Sequence, residues 1–263
     1  MMSIETTAKQ TIKISGSGTA GGGQYEEVKI SGSGKISGDI ECREFRIDGT
    51  AKVEGSLTAE EVVINGTCTI QQDSKLNKME INGTCTVEGN AAVRELEVNG
   101  SSNFRKDLHI TDFEINGSSK VSGRVTGGTI EVNGMLKVQG SCEVERICSN
   151  GSIQIKDLLS ADSIEINVGY RSFAKEIGGE KIVVKQFSAN NILKQLISLF
   201  KSNSHMLEAE VIEGDEIQLD VTKAKLVRGK AIVIGSKCEI ERVEYTDTLE
   251  IHPEAKVKEA IKL

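Results

Sequence analysis

The tripeptides Ile47-Asp48-Gly49, Ile64-Asn65-Gly66 and Ile81-Asn82-Gly83 decide the fold, because they follow one another at a constant 17-residue interval. The series continues in register with Val98-Asn99-Gly100, Ile115-Asn116-Gly117 and Val132-Asn133-Gly134. Ile30-Ser31-Gly32 precedes it in the same phase, and Ser149-Asn150-Gly151 and Ile166-Asn167 follow it. Nine consecutive units at one period indicate a repeat protein, in which each unit is one supersecondary element stacked on the next.

Two apolar columns keep the same period as the tripeptide. The first lies two residues before its aliphatic residue and comprises Phe45, Val62, Met79, Leu96, Phe113, Ile130, Ile147 and Ile164. The second lies six residues after it and comprises Val53, Ile70, Val87, Phe104, Val121, Val138 and Ile155. Within each unit apolar and polar residues alternate, which is the period of a β-strand, and three short strands with their corners account for the whole unit. We therefore predict an all-β, three-sided parallel β-helix, a β-solenoid in which each turn pairs with its neighbours about 4.8 Å away.

The Asn-Gly pair has a predicted structural role at a corner of this coil. We expect this corner to need φ > 0, which Gly adopts freely and Asn tolerates, with the Asn side chains hydrogen-bonded into a ladder along the coil. A ligand site on the Asn column is the alternative. Cys68 and Cys85 share one inward column, where we expect small core thiols rather than a redox or metal site.

Composition agrees with a coil of thin, regular layers and excludes several classes of protein. The 263 residues include 27 Gly, 1 Pro, 6 Phe, 3 Tyr and no Trp, so glycine turns the corners and aliphatic residues fill the core. The net charge of −7 argues against nucleic acid as a partner. The six cysteines form no CxxC or Cys/His cluster, which predicts no metal and no cofactor. No apolar run approaches the ~20 residues of a membrane span and no signal peptide is evident, so we expect a cytoplasmic protein.

The period changes once along the chain, and this change sets the predicted domains. We expect a flexible Gly/Ser-rich tail over residues 1–26, a first coil block over 27–169, an insertion over 170–207 and C-terminal coil turns over 208–263. The last block is inferred from two series at 17-residue spacing, Ile217, Ile234 and Ile251, and Val221, Cys238 and Ala255. Inside the insertion, residues 191–202 are predicted to form one short amphipathic α-helix whose apolar stripe comprises Ile192, Leu193, Leu196, Ile197, Leu199 and Phe200.

Two features leave functional alternatives open. The 191–202 helix packs on the flank of the coil, or it docks on a partner protein or a membrane surface. The outward column Glu80, Glu97, Glu114, Glu131 and Glu165 is a solvated face, or it binds cations or a basic partner.

Catalysis has little support in the sequence, and we predict that the protein is not an enzyme. His109, His205 and His252 share no constellation with a nucleophile or an acid. A carbohydrate-active enzyme would need paired carboxylates in a cleft, whereas the stacked glutamates lie on a flat face.

The run from Val28 to Ile40 (VKISGSGKISGDI), the 17-residue Ile-Asn-Gly turns and the segment from Gly235 to Val257 resemble the bactofilins, polymer-forming bacterial cytoskeletal proteins. The resemblance implies a right-handed coil that assembles end to end into filaments without a nucleotide. It also implies scaffolding roles in cell shape, in the envelope, or in appendages and motility, with paralogues or envelope proteins as further partners and with peripheral membrane contact.

The ends of the coil are the predicted assembly surfaces, because a β-helix exposes unpaired backbone groups and a layer of core side chains at each end. We expect Val28, Ile30, Ile36 and Ile40 near one end and Ile251, Val257, Ile261 and Leu263 near the other. The leading hypothesis is a self-assembling scaffold whose main partner is the protein itself. The alternative is a non-polymerising adaptor that presents the 191–202 helix or the acidic column to a partner protein or a membrane.

Overall fold

The computed structural model describes residues 10–186 and 206–263, and these residues form parallel β-solenoid turns. The chain divides into two units, residues 1–111 and 112–263. The all-β solenoid predicted from the sequence is confirmed. The predicted 191–202 helix lies outside the described residues.

From residue 33 onward, the strands of the first unit return at a regular 17-residue spacing, the interval that separates Asn65 from Asn82, whereas Ile12 and Ile14 pair with Val28 and Ile30 at 16 residues. The strands of this unit are β1 (Gln10–Ile14), β2 (Ser17–Ile30), β3 (Ser33–Ile47), β4 (Thr50–Val53), β5 (Leu57–Ile64), β6 (Thr67–Ile70), β7 (Ser74–Ile81), β8 (Thr84–Val87), β9 (Ala91–Val98) and β10 (Ser101–Phe104). β11 (Leu108–Ile115) contains the residue at which the division into units falls.

Each regular turn has three sides, because its longer strands bend in the middle. In β5 the paired register with β7 runs over Leu57–Ala59 and resumes at Glu61, and residues 60 and 61 both face outward. β6 supplies the third side and pairs in parallel with β8. The inward residues of successive turns stack as ladders that are 0% exposed, as for Ile47, Ile64, Ile81 and Val98. Each buried aliphatic side chain of this kind stabilises the fold by about 1.5–3 kcal/mol.

The corner that follows each ladder residue explains the glycine of the Asn-Gly pair. The physical reason differs from the positive φ that was expected. The N–H groups of Asn65 and Gly66 both donate to the carbonyl of Ile47, at 2.8 and 3.2 Å. A Cβ on Gly66 would overlap the carbonyl oxygen of Gly49 in the turn beside it. Neither Asn65 nor Gly66 has a positive φ, so the expectation of φ > 0 at this corner is wrong. Glycine is required here because the neighbouring backbone approaches too closely for any side chain.

The second unit has the same architecture and then departs from the regular spacing. Its strands are β12 (Ser118–Val121), β13 (Val125–Val132), β14 (Met135–Val138), β15 (Cys142–Ser149), β16 (Ser152–Val168), β17 (Ser172–Gln186), β18 (Leu207–Leu219), β19 (Thr222–Ile234), β20 (Glu239–Ile251) and β21 (Lys256–Lys262). Cys142 pairs with Leu159 at the regular spacing, but Leu159 pairs with Ile177, one residue further along the chain than that spacing gives. Two later turns are shorter: the paired side chains of Glu210 and Lys225 are 15 residues apart, and those of Arg228 and Glu244 are 16 residues apart. The last turn returns to 17 residues, the interval between Glu239 and Lys256.

The boundaries and register expected from the sequence differ from this structure at three places. Residues 10–26 lie in β1 and β2 rather than in a flexible tail, because β1 pairs with β2 and β2 with β3. Residues 172–186 form a coil turn, β17, inside the predicted insertion. Ile217 pairs with Ile232 and not with Ile234, which pairs with Leu219, because the β18 to β19 turn is shorter than the regular turn.

Candidate assembly surfaces

The Asn column forms the ladder predicted for it, within each unit. The side-chain amide of Asn82 donates to Asn65 at 3.0 Å, and the amide of Asn99 donates to Asn82 at 3.0 Å. In the second unit, Asn150 donates to Asn133 at 3.1 Å and Asn167 donates to Asn150 at 2.9 Å. An amide is both a donor and an acceptor, so identical residues satisfy one another on successive turns.

The outward glutamates belong to the same corner. Glu80 accepts a hydrogen bond from Asn82 at 2.7 Å, and Glu97 accepts one from Asn99 at 2.8 Å. Asn116 likewise donates to Glu114 at 2.9 Å, and Asn133 to Glu131 at 3.3 Å. These bonds hold the carboxylates against their own turns, which supports a structural role. Across residues 10–186 and 206–263, no group of three or more His, Cys, Asp or Glu side chains is placed to hold a metal ion.

The buried cysteines have the properties of core thiols. Cys68 and Cys85 are 1% exposed and pair in register across β6 and β8. The hydrogen bond with Cys68 and burial together raise the pKa of the Cys85 thiol well above its usual value. Burial raises the pKa of Cys142 to about 12. Thiols of raised pKa are poor nucleophiles, because the thiolate is the reactive form.

The N-terminal residues expected at a coil end are covered by another turn. Val28, Ile30, Ile36 and Ile40 are 0–2% exposed. Val28 and Ile30 pair with Ile12 and Ile14 of β1, which are half-buried. β1 therefore lies outside Val28 and Ile30, and β2 lies outside Ile36 and Ile40, which pair with Ala20 and Gly23. The near copy of the motif at Ile12–Gly18 (IKISGSG) could have indicated this outer turn.

The C-terminal residues lie in the last two described strands and at the residue that follows them. β21 pairs with β20, with Val257 opposite Ile240, and no other described strand pairs with it. Val257 and Ile261 are half-buried, while Ile251 is 44% and Leu263 is 66% exposed. The four predicted residues are thus close in the chain and at least partly accessible.

The predicted partner helix cannot be placed in the same way. Its stripe, Ile192 to Phe200, lies outside the described residues, and so does His205. In the part of the chain that is described, no helix is long and apolar enough to cross a bilayer.

Comparison with known proteins finds a family match over the first part of the chain. Residues 3–108 match the family model described as "Bactofilin: Polymer-forming cytoskeletal". The chain is 39% identical over 111 residues to the uncharacterized protein YhbE of Bacillus subtilis strain 168, which covers 42% of this chain and 45% of that protein. It is 36% identical over 107 residues to the uncharacterized protein YhbF of the same organism, covering 40% and 42%.

The chain thus spans less than half the length of either curated relative it matches. No solved structure matches it significantly. The matched region contains the tripeptide turns from Ile30-Ser31-Gly32 to Val98-Asn99-Gly100, on which the resemblance was based. Residues 3–108 are therefore similar to the bactofilins, described as polymer-forming and cytoskeletal, and this match bears out the resemblance drawn from the repeat for this part of the chain.

Proposed function

We propose that this protein is the building block of a cytoskeletal filament that grows by end-to-end stacking of coils without a nucleotide. The observation that carries the proposal is the open edge of β21. Its backbone groups pair with β20 on one side, and no described strand pairs with the other side. A strand edge of this kind is a template for a further strand, and a second coil supplies one.

The side chains around this edge suit burial against another layer. Ile251 and Leu263 are exposed, and Val257 and Ile261 continue inward and corner columns of the preceding turn, with no further described layer upon them. Stacking a second coil here removes their apolar surface from water, which favours association by about 25 cal/mol per Å² buried. The family description, polymer-forming and cytoskeletal, supports the same conclusion.

The first unit offers an outer layer of its own at β1. Ile12 and Ile14 are half-buried in front of Val28 and Ile30. Ala20 and Gly23 of β2 pair with Ile36 and Ile40, so the four N-terminal residues named from the sequence form a second layer behind this surface. The filament serves as a scaffold for cell shape, the envelope, or appendage and motility structures. We place this filament in the cytoplasm, and we propose that it contacts the membrane, paralogues or envelope proteins.

The test is a pair of charged substitutions in β21. Val257→Glu with Ile261→Glu places two carboxylates in the stacking layer, and we expect filaments to disappear while circular dichroism still reports the coil. The matched control is Thr58→Glu with Thr67→Glu, because both threonines are exposed on strands of the first unit that are paired on both sides. Sedimentation and negative-stain electron microscopy in plain buffer measure assembly.

Two results would overturn the proposal. Wild-type protein that stays a monodisperse monomer across micromolar concentrations excludes self-assembly and favours the adaptor. A β21 double variant that forms the same filaments as the wild type excludes this edge as the assembly surface.

A further inference from the structure

Two columns of alternating charge run along one side of the C-terminal turns. Successive turns of β18 to β21 place Glu208, Lys223, Glu239 and Lys256 in one register column. Two residues further along each strand, the second column is Glu210, Lys225, Glu241 and Lys258. Both columns have the order acid, base, acid, base, and the two residues within any one turn have the same sign.

The columns border a shallow groove, which Ala209, Ala224 and Ile240 also line. Ala209, Ala224 and Ile240 lie between the charged residues and are 8%, 3% and 1% exposed. The groove has a volume of about 530 Å³, with Phe173 at its start in the preceding turn. All the residues that line it belong to the second unit.

Within one chain the columns are partly neutralised by pairs between neighbouring turns. Lys225 Nζ lies 2.9 Å from Glu210, and Lys256 Nζ lies 2.8 Å from Glu239. Lys258 Nζ lies 3.0 Å from Glu241, and Arg171 lies 3.2 Å from Glu208. The lysines remain 65–78% exposed, so each keeps N–H donors for a second carboxylate.

We propose that this charged face, defined by the eight residues of the two columns, pairs with the same face of a second copy whose coil runs in the opposite direction. A two-fold axis that lies in the contact plane and runs along the strands reverses the order of the turns and keeps each column opposite itself. The order acid, base, acid, base then meets base, acid, base, acid. Glu208 lies opposite Lys256 of the second copy, and Lys223 lies opposite Glu239 of the second copy.

The same pattern excludes the parallel pair whose turns lie level with each other. A two-fold axis along the coil keeps the turns level and exchanges the columns, so Glu208 would meet Glu210 of the second copy and Lys223 would meet Lys225. All eight contacts would then join like charges. A shift of the antiparallel pair by one turn has the same effect, so among pairs related by a two-fold axis the charges select both direction and register.

This lateral contact is distinct from the stacking of coil ends and does not depend on it. Stacking buries the edge of β21, whereas the charged face lies on the flank of β18 to β21. Because the contact is made by exposed charges, it weakens as salt is added, and its avidity rises when many copies are held in one filament.

A zero-length carbodiimide cross-link is the direct test. In one chain Lys256 and Glu208 lie three turns apart, about 14 Å at the usual spacing of strands, which is too far for a bond without a spacer. In the antiparallel pair they lie opposite each other. We expect a Lys256–Glu208 link between copies in a mixture of ¹⁵N-labelled and unlabelled protein at low salt, and its loss at 0.5 M NaCl.

Two charge-exchange variants separate pairing between copies from pairing within a chain. The first carries Glu239→Lys, Lys256→Glu, Glu241→Lys and Lys258→Glu, so its columns read acid, base, base, acid. The second carries Glu208→Lys, Lys223→Glu, Glu210→Lys and Lys225→Glu, so its columns read base, acid, acid, base. Each variant keeps the wild-type composition and contains one like-charged neighbour pair per column.

Each variant opposes like charges when it meets itself, and the two variants oppose unlike charges when they meet each other. We expect neither variant alone to show lateral pairs by sedimentation velocity, and the equimolar mixture to recover them. The inference is wrong if the wild type gives no Lys256–Glu208 link at low salt, or if either variant alone associates as the wild type does. Filaments that form without this link overturn the lateral contact and leave end-to-end assembly intact, and links without filaments do the reverse.

Discussion

The turns that carry the Asn column and the C-terminal turns pair their stacked polar side chains in two different ways. In both, polar side chains at equivalent positions stack at strand spacing and need a partner on the next turn. Asn82 donates to Asn65, so the same residue works on every turn. In the C-terminal turns Lys225 pairs with Glu210, and a second lysine in place of the glutamate would repel it.

The difference shows why one region repeats visibly and the other does not. An amide ladder is satisfied by identical residues, so its period in the sequence equals one structural turn. A charge ladder must alternate, so its period in residue type is two turns. The C-terminal turns also vary in length, since the pair Glu210–Lys225 spans 15 residues and the pair Glu239–Lys256 spans 17 residues.

The largest expected effect comes from a substitution at the regular corner. Gly66→Ala places a methyl group on the carbonyl oxygen of Gly49, so the two turns must separate or the backbone must bend. We expect a loss of about 3 kcal/mol in the free energy of unfolding, at the upper end for overpacking. Denaturant titration measures it.

Gly178→Ala is the matched control for the corner, because nothing lies within 4 Å of a Cβ at that position in β17. We expect a change of less than about 0.5 kcal/mol there. Equal losses in the two variants would show that close approach of the neighbouring turn is not what requires glycine.

The same comparison explains how much of the molecule could be predicted from its sequence. The ladders of Ile47, Ile64 and Ile81 are readable because one inward column holds one kind of residue. The corner was predicted at the right residues for the wrong reason, since a close approach of backbone to Gly66 leaves the same sequence signal as a positive φ.

The predictions fail where the number of residues in a structural turn differs from the period of the sequence repeat. Ile217 and Ile234 keep the spacing of the regular repeat, yet they occupy different columns because the turn between them is shorter. The charged face was missed for the same reason: Glu208, Lys223 and Glu239 recur at shorter, unequal intervals and alternate in sign. A search for alternating charge at variable spacing could have found it.

A smaller effect concerns the inward column that directly precedes the Asn corner, where Ser149 interrupts a run of aliphatic residues. Ser149 is 0% exposed between Val132 and Ile166, and its hydroxyl has no hydrogen-bond partner. Ser149→Val fills the column and removes the unpaired group, so we expect the free energy of unfolding to rise by about 1–2 kcal/mol. Denaturant titration measures this change as well.

Ser152→Val is the matched control, for which we expect a change in stability of the opposite sign. The Ser152 hydroxyl donates to the carbonyl of Arg171 at 2.8 Å, so the same replacement removes a hydrogen bond and leaves that carbonyl without this donor. We expect a loss of about 1 kcal/mol. If both variants were stabilised, added apolar volume rather than the unpaired hydroxyl would be the cause.

The smallest expected effect is a difference in the pH dependence of stability between the Asn ladder and the charge ladder of the C-terminal turns. Hydrogen bonds from Lys225, Lys256 and Arg228 lower the pKa of Glu210, Glu239 and Glu244 below their ordinary values. A carboxylate with a lowered pKa in the folded state contributes stability that is present above its unfolded pKa, about 4.3, and is lost as the pH falls through the folded pKa. The amide hydrogen bonds of the Asn ladder do not titrate.

Acidification from pH 6 to pH 3 should therefore reduce the protection from hydrogen exchange more in residues 207–263 than in residues 133–167 of the same unit. Hydrogen exchange, corrected for the intrinsic exchange rate at each pH, measures the difference. Glu239→Gln removes one titrating group of the charge ladder, so this variant should start with less protection near Lys256 and lose less of it on acidification. Equal losses in the two regions would show that the charge ladder adds nothing to the C-terminal turns that the apolar core does not already supply.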